Sequence, residues 1–103
     1  MALEFEWDDQ KVAINLRKHG VHFEDAVAVF DDQDAVTTDA KTVAEELRYK
    51  RTGHADEYAL LTVVYAKRQN DEIETIRIIS ARAASRRERR IYADRSIQAP
   101  TSE

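Results

Sequence analysis

Residues Tyr58–Ala81 read YALLTVVYAKRQNDEIETIRIISA. Leu60, Leu61, Val63, Val64 and Tyr65 crowd Tyr58–Lys67 with side chains that suit a buried strand. The polar run Gln69–Glu72 reads as a hairpin loop, and Ile73–Ala81 pairs back as a second strong strand. Side chains alternate along a strand, so Ile76 and Ile78 take one face while Arg77 takes the other with Thr75 and Ile79. An arginine in such a strand is either paired with an acid on a neighbour or lines a cleft. Arg68 closes the first strand and Arg82 the second. Three arginines around one hairpin either converge on a phosphate or are ordinary strand-end charges.

Towards the N-terminus, Leu3–Trp7 alternates with the period of a half-buried strand. Asp8 caps a helix running to His19, with Trp7 and Val12 placed as a hydrophobic staple, Val12 and Leu16 on a core-facing stripe, and Gly20 as the stop. Phe23, Val27 and Phe30 mark a second short helix, ended by the acidic Asp31–Asp34 cluster. That cluster is either a solvated turn or a surface for a basic partner. Ala35–Thr38 fits a short strand. Val43–Leu47 favours helix, giving way to strand around Arg48–Thr52, and Gly53–Glu57 reads as a turn or loop. Ser85-x-x-Glu88 is a capping box opening a helix to about Asp94. Ala84 and Ile91 share its packing face, and Arg86, Arg89 and Arg90 point away. From Arg95 onward no pattern remains, and the only proline lies there. This order predicts one α+β domain over residues 1–95, an antiparallel sheet flanked by N-terminal helices and a C-terminal helix, with a flexible tail over 96–103.

The net charge of −4 conceals two unequal halves. Residues 1–47 carry 4 Lys/Arg and 12 Asp/Glu; residues 48–103 carry 12 Lys/Arg, ten of them Arg, and 8 Asp/Glu. Arg77–Tyr92, RIISARAASRRERRIY, brings Arg86, Arg87, Arg89 and Arg90 within five residues. In an acidic protein such a segment is either a solvated helix face or a seat for a polyanion, and arginine's fork suits phosphate and bases. No cysteine is present, which excludes disulfides, thiolate chemistry and zinc–sulfur sites and fits a cytoplasmic protein. No apolar run suits a membrane span, so no membrane partner is expected. With only two glycines there is no Gly-rich phosphate loop or dinucleotide fingerprint. His19 and His22 flank Gly20, but no third ligand with recognisable spacing follows, so neither a metal nor a cofactor is expected.

Cleaving a phosphodiester requires a group to deprotonate the nucleophile, a cation to neutralise charge on phosphorus and a donor to the leaving oxygen. RNA supplies its own nucleophile, the 2′-hydroxyl. His19, at a helix end, either contacts the terminal carbonyls or carries a proton. Glu88 is the capping-box partner of Ser85; as a general base it would be held ionised by the arginines around it.

Phe5–Asp32 (FEWDDQKVAINLRKHGVHFEDAVAVFDD), Val63–Arg68 (VVYAKR) and Arg77–Tyr92 together resemble the BrnT family of bacterial toxins over about residues 5–93. The family pattern falls on Trp7, Lys11, Asn15, Lys18, His19 and Gly20, then Arg48, Tyr49, Gly53 and Arg68, then Arg77, Ser80, Arg82, Ser85, Glu88 and Tyr92. The resemblance implies a RelE-like fold and a metal-independent ribonuclease toxin of a type II toxin–antitoxin module, cutting messenger RNA to arrest translation and growth. It implies neutralisation by a ribbon–helix–helix antitoxin in a complex of two toxins with two antitoxins, which meets operator DNA only through the antitoxin. Carried onto this chain, Arg68, Arg77 and Arg82 would stabilise the phosphorane, with His19 as proton carrier, while Arg48, Arg86 and Arg90 would hold RNA. The alternative is a non-catalytic module that binds the antitoxin and tunes repression. The chain departs from the family at His54–Thr62, HADEYALLT, where Asp56 and Glu57 would repel RNA if that edge bordered the cleft.

Overall fold

A computed structural model describes residues 2–56 and 58–98. Among them, β1 (Ala2–Glu6), β2 (Val36–Val43), β3 (Glu46–Ala55), β4 (Tyr58–Asn70) and β5 (Ile73–Ala83) form one sheet in the order β1-β5-β4-β3-β2. Helices α1 (Asp9–His19) and α2 (Phe23–Ala26), a 3₁₀ turn at Val27–Asp31 and α3 (Arg86–Gln98) complete the mixed α+β fold. The β4–β5 hairpin is the axis of the sheet. Its turn closes between Asn70 and Ile73, with Asp71 at φ 57, a conformation aspartate tolerates better than most residues.

The sheet is not wholly antiparallel. β1 runs parallel to β5, from Ala2 opposite Ile73 to Glu6 opposite Arg77. Alternation along β1 carries no strand direction, so the sequence left this open to error, and Leu3 of that alternation is exposed. Val43–Leu47 is not helical either. β2 continues to Val43, turns at Ala44–Glu45 and returns as β3 from Glu46. Ala-Glu-Glu-Leu has the propensity for helix but no apolar stripe to bury; Ala44 and Glu45 form the turn instead, and Glu46 and Leu47 pair with Val43 and Thr42 of β2. Gly53 and Ala55, expected in a loop, lie within β3. A Cβ on Gly53 would come within 2.9 Å of Ala35 Cβ and 3.1 Å of Val29 Cγ1, so close packing of strand on 3₁₀ turn requires glycine here.

α1 begins and ends as its sequence dictates. Asp8 accepts a hydrogen bond from the Gln10 N–H at 2.8 Å, and Gly20 takes a left-handed φ of 71° with its N–H donating to the Leu16 carbonyl. Leu16, expected in the core, is 38% exposed; the fully buried side chain of α1 is Asn15. Its Nδ2 donates to the carbonyls of Ala81 (2.8 Å) and Val21 (3.0 Å), and its Oδ1 accepts from the Ala81 N–H at 3.0 Å. β1 stops at Glu6, so Asn15 takes over the ladder bonds that a longer β1 would have made to β5.

One face of the sheet packs under α1, α2 and the 3₁₀ turn. Phe23, Ala26 and Val29 meet Leu61, Val63, Tyr65, Ile76 and Ile78 there. Edge-to-face contacts run from Phe5 to Phe30 (5.3 Å) and from Phe30 to Tyr65 (5.0 Å), an arrangement aromatic pairs favour. Arg51 caps this layer, its guanidinium 5.4 Å from the Phe30 ring and donating to the carbonyls of Val29 and Asp32. The Asp31–Asp34 cluster is built around Asp32, whose carboxylate accepts from the N–H groups of Asp34 and His54 and from the Tyr92 hydroxyl. One carboxylate therefore ties the 3₁₀ turn to β3 and α3. Partial burial opposes its ionisation, but these three donors outweigh burial and lower its pKa. α3 runs to Gln98, three residues beyond Arg95 where the pattern faded; of the expected tail, residues 99–103 lie outside the described residues.

Candidate functional site

The opposite face of the sheet carries the arginines. Register places Arg82 opposite Thr62, Ser80 opposite Val64, Arg77 opposite Ala66 and Arg68 opposite Thr75, all on one side. The sequence put Ile79 on this face, but β5 bulges: Ser80 pairs with Val64 and Ile78 with Tyr65, leaving Ile79 unpaired. The extra residue turns Ser80, not Ile79, towards the arginines.

Each of the three arginines of the hairpin holds a carboxylate. Arg77 Nη2 lies 2.6 Å from Glu46 Oε1, and Arg48 Nε donates to the same oxygen at 3.2 Å. Arg68 donates to both carboxylate oxygens of Glu6, at 2.9 and 3.4 Å. Arg82 grips Glu88 with both Nη atoms, at 2.8 and 3.0 Å. Two of the pairs cross a strand. Arg77 reaches from β5 past β4 to β3, and Arg68 from β4 past β5 to β1, over the buried small residues Ala66 and Thr75.

The three pairs differ in how firmly they are closed. Glu88 also accepts from the Thr62 hydroxyl and the Ser85 N–H, both at 2.8 Å, while its own N–H donates to Ser85 Oγ. The capping box read from the sequence is thus present, and it anchors α3 to the sheet. Arg82, set against partial burial and helped by Ser85 and Thr62, holds the Glu88 carboxyl at a pKa of about 2. A group so acidic is a poor proton acceptor near neutrality. Glu46 is more open: Arg77 is the main cause, against some desolvation and with Arg48 assisting, of a pKa below its ordinary value. The Arg68–Glu6 pair is the most exposed of the three, and Glu6 raises the arginine's pKa.

His19 does not sit among the three arginines but at their border. Lys11, Lys18 and His19 of α1 face Ile79 and Ser80 across a groove of ≈ 150 Å³. Ser80 lies between Arg77 and Arg82 along β5, so this groove opens beside the arginine face. Arg48, on β3, shares the Glu46 carboxylate with Arg77 of β5, and Arg86 and Arg90 are exposed on α3. A smaller cavity, ≈ 40 Å³ between α3 and the sheet, is lined by Val36, Thr38, Lys50, Thr52, Glu88 and Ile91. The divergent Asp56 lies away from the arginines, in a groove with Glu24 and Asp25 of α2; Glu57 is outside the described residues.

Sequence reading missed Glu46 and Glu6 as partners. Glu46-x-Arg48 alternation would have put that acid beside an arginine, had the segment been read as strand. Among the described residues, no group of three or more His, Asp or Glu side chains is arranged to hold a metal ion.

A family model described as the ribonuclease toxin BrnT of type II toxin–antitoxin systems matches residues 7–88. The fold is similar to that of the Brucella abortus ribonuclease toxin BrnT, whose crystal structure is matched with a TM-score of 0.55 at 23% identity, over 84% of this chain and 100% of that one. No curated protein matches the chain by sequence. The chain therefore belongs to the BrnT family, the ribonuclease toxins of type II toxin–antitoxin systems.

Proposed function

We propose that the arginine face is the seat at which this toxin cleaves messenger RNA, by attack of the substrate's own 2′-hydroxyl and without a metal. The observation that carries this reading is the register of β4 and β5, which brings Arg68, Arg77 and Arg82 onto one face bordered by the cationic groove of α1. Arg77, with Arg48 beside it, neutralises charge developing on the phosphorane. His19, at the rim of the groove, carries a proton. Arg82, with its fork committed to Glu88, acts as a positioning residue that fixes α3 beside the site. Arg86 and Arg90 meet flanking phosphates, whose contribution weakens with salt. The sheet with helices packed on one face and α3 across the other supports a RelE-like arrangement. No helix among the described residues is long and apolar enough to cross a membrane, and the toxin acts in the cytoplasm. Its partner is a ribbon–helix–helix antitoxin, two per pair of toxins, through which alone the complex meets operator DNA.

Incubating the purified protein with RNA in EDTA tests the reading. Cleavage that survives repurification and chelation is expected, and induction of the chain should stop growth. A second reading, a non-catalytic module that holds the antitoxin and tunes repression, is favoured by one observation: all three arginines already hold carboxylates. RNA left intact at high protein concentration would favour that module and overturn catalysis.

A further inference from the structure

The Arg48–Arg77 pair is built like an anion seat, and the anion in it is the chain's own. Two guanidinium groups from different strands converge on one oxygen, Glu46 Oε1. The three side chains are only partly exposed, 24% for Arg48, 37% for Arg77 and 33% for Glu46, so the charges meet where water screens them incompletely. Beside them, a depression lined by Ala66, Arg68 and Thr75 leaves room on the same face. Glu46 is the first residue after a turn in which Ala44 and Glu45 both have left-handed φ, 52° and 67°. Such a turn delivers the Glu46 carboxylate from the end of β3 rather than from a loop free to leave it. A carboxylate and a phosphate present the same paired oxygens to an arginine fork.

We infer that Glu46 is an internal competitor for the phosphate seat of Arg48 and Arg77, and that an RNA phosphodiester must displace it to reach Arg77. This rests on reading the arginine face as the RNA seat. Glu46 then sets the strength of anion required. A mononucleotide or an isolated inorganic anion meets a filled seat. A polyanion, held at the same time by the α1 groove and the arginines of α3, gains enough elsewhere to turn Glu46 out. Glu46 is thus a specificity-determining residue that favours extended single-stranded RNA over small phosphates.

The test is the affinity of a non-cleavable 2′-O-methyl oligoribonucleotide, read by fluorescence anisotropy at fixed salt. Glu46→Gln keeps the shape and removes the charge; Glu46→Ala is the second variant. Both are expected to bind about fivefold more tightly than the wild type, the size of effect a partly exposed ion pair exerts. Glu45→Gln, which removes the same charge one residue away, should give less than half that gain. In Glu46→Gln/Arg77→Ala the gain should disappear. Affinities unchanged or weakened in both Glu46 variants would overturn the inference, as would a gain that persists without Arg77 or is matched by Glu45→Gln. Cleavage of unmodified RNA is measured alongside on the wild type. If the wild type cleaves RNA while the Glu46 variants show no gain, Glu46 alone loses its role. If no variant binds and the wild type does not cleave, this inference and the RNA reading fall together.

Discussion

The carboxylate of Glu88 receives both Nη atoms of Arg82 and, in addition, the Thr62 hydroxyl and the Ser85 N–H. A single acid therefore closes the capping box of α3 and docks that helix on β4 and β5. Its folded pKa of about 2 lies below the ordinary 4.5. Stability from this group is complete above roughly pH 5 and is lost as pH falls from there towards 2. Because the pair is partly open to solvent, the contribution is expected to be about 1–2 kcal/mol, less than the full shift implies. Urea unfolding from pH 7 to pH 2.5 should show Glu88→Gln less stable than wild type at neutrality and nearly level with it at the acid end. Equal stability differences at both ends would show that the ion pair contributes nothing.

Asn15 is expected to matter more than any apolar residue of α1. Asn15→Ala leaves the N–H and carbonyl of Ala81 and the carbonyl of Val21 without their partner in a site only 3% exposed. Buried groups left unpaired cost about 1–3 kcal/mol each at most, so a loss of about 3 kcal/mol overall is expected. It should appear as a lower urea midpoint with an unchanged slope. Leu16→Ala, on the exposed side, should cost well under half as much; the reverse order would contradict the assignment of Asn15 as the edge cap of β5.

The β2–β3 turn offers a gain. Two-residue hairpin turns with both central residues left-handed favour Asn-Gly, and this one has Ala44-Glu45 at φ 52° and 67°. Glu45→Gly removes a conformational strain of about 1–2 kcal/mol, offset by glycine's freedom in the unfolded chain. A net stabilisation of about 0.5–1 kcal/mol is expected, which for a domain of this size raises Tm by roughly 2–6 °C. A fall in Tm would mean that the Glu45 side chain makes contacts worth more than the strain.

Features fixed by neighbours in the chain were legible in the sequence; those fixed by distant partners were not. The Asp8 cap, the Gly20 stop, the Ser85–Glu88 box and the β4–β5 hairpin each depend on residues a few positions apart, and each is in the structure. The direction of β1 depends on how α1 carries the chain back across the sheet. The hairpin at Ala44–Glu45 lacks the Asn-Gly signal and carries residues that favour helix. The Ile79 bulge shifts the register by one residue, so alternation gave the right face for Arg77 but the wrong one for Ile79. Of the candidate site, alternation separated Arg77 from Ile76 and Ile78, but it is the bulge at Ile79 that brings Arg82, five residues on, to the face of Arg77 and Arg68. Their partners Glu6 and Glu46 lie 62 and 31 residues away, beyond what any local pattern encodes.

The central claim, that Arg77 is the cation on which RNA cleavage depends, is tested most directly by the rate of RNA cleavage by purified wild type and Arg77→Ala. Circular dichroism establishes that both are folded. Removing a group that stabilises the charge of a transition state typically costs about 10²–10³ in rate, and a loss of that size is expected with the fold intact. A folded Arg77→Ala protein that cleaves RNA at the wild-type rate would contradict the account and move the chemistry away from the arginine face.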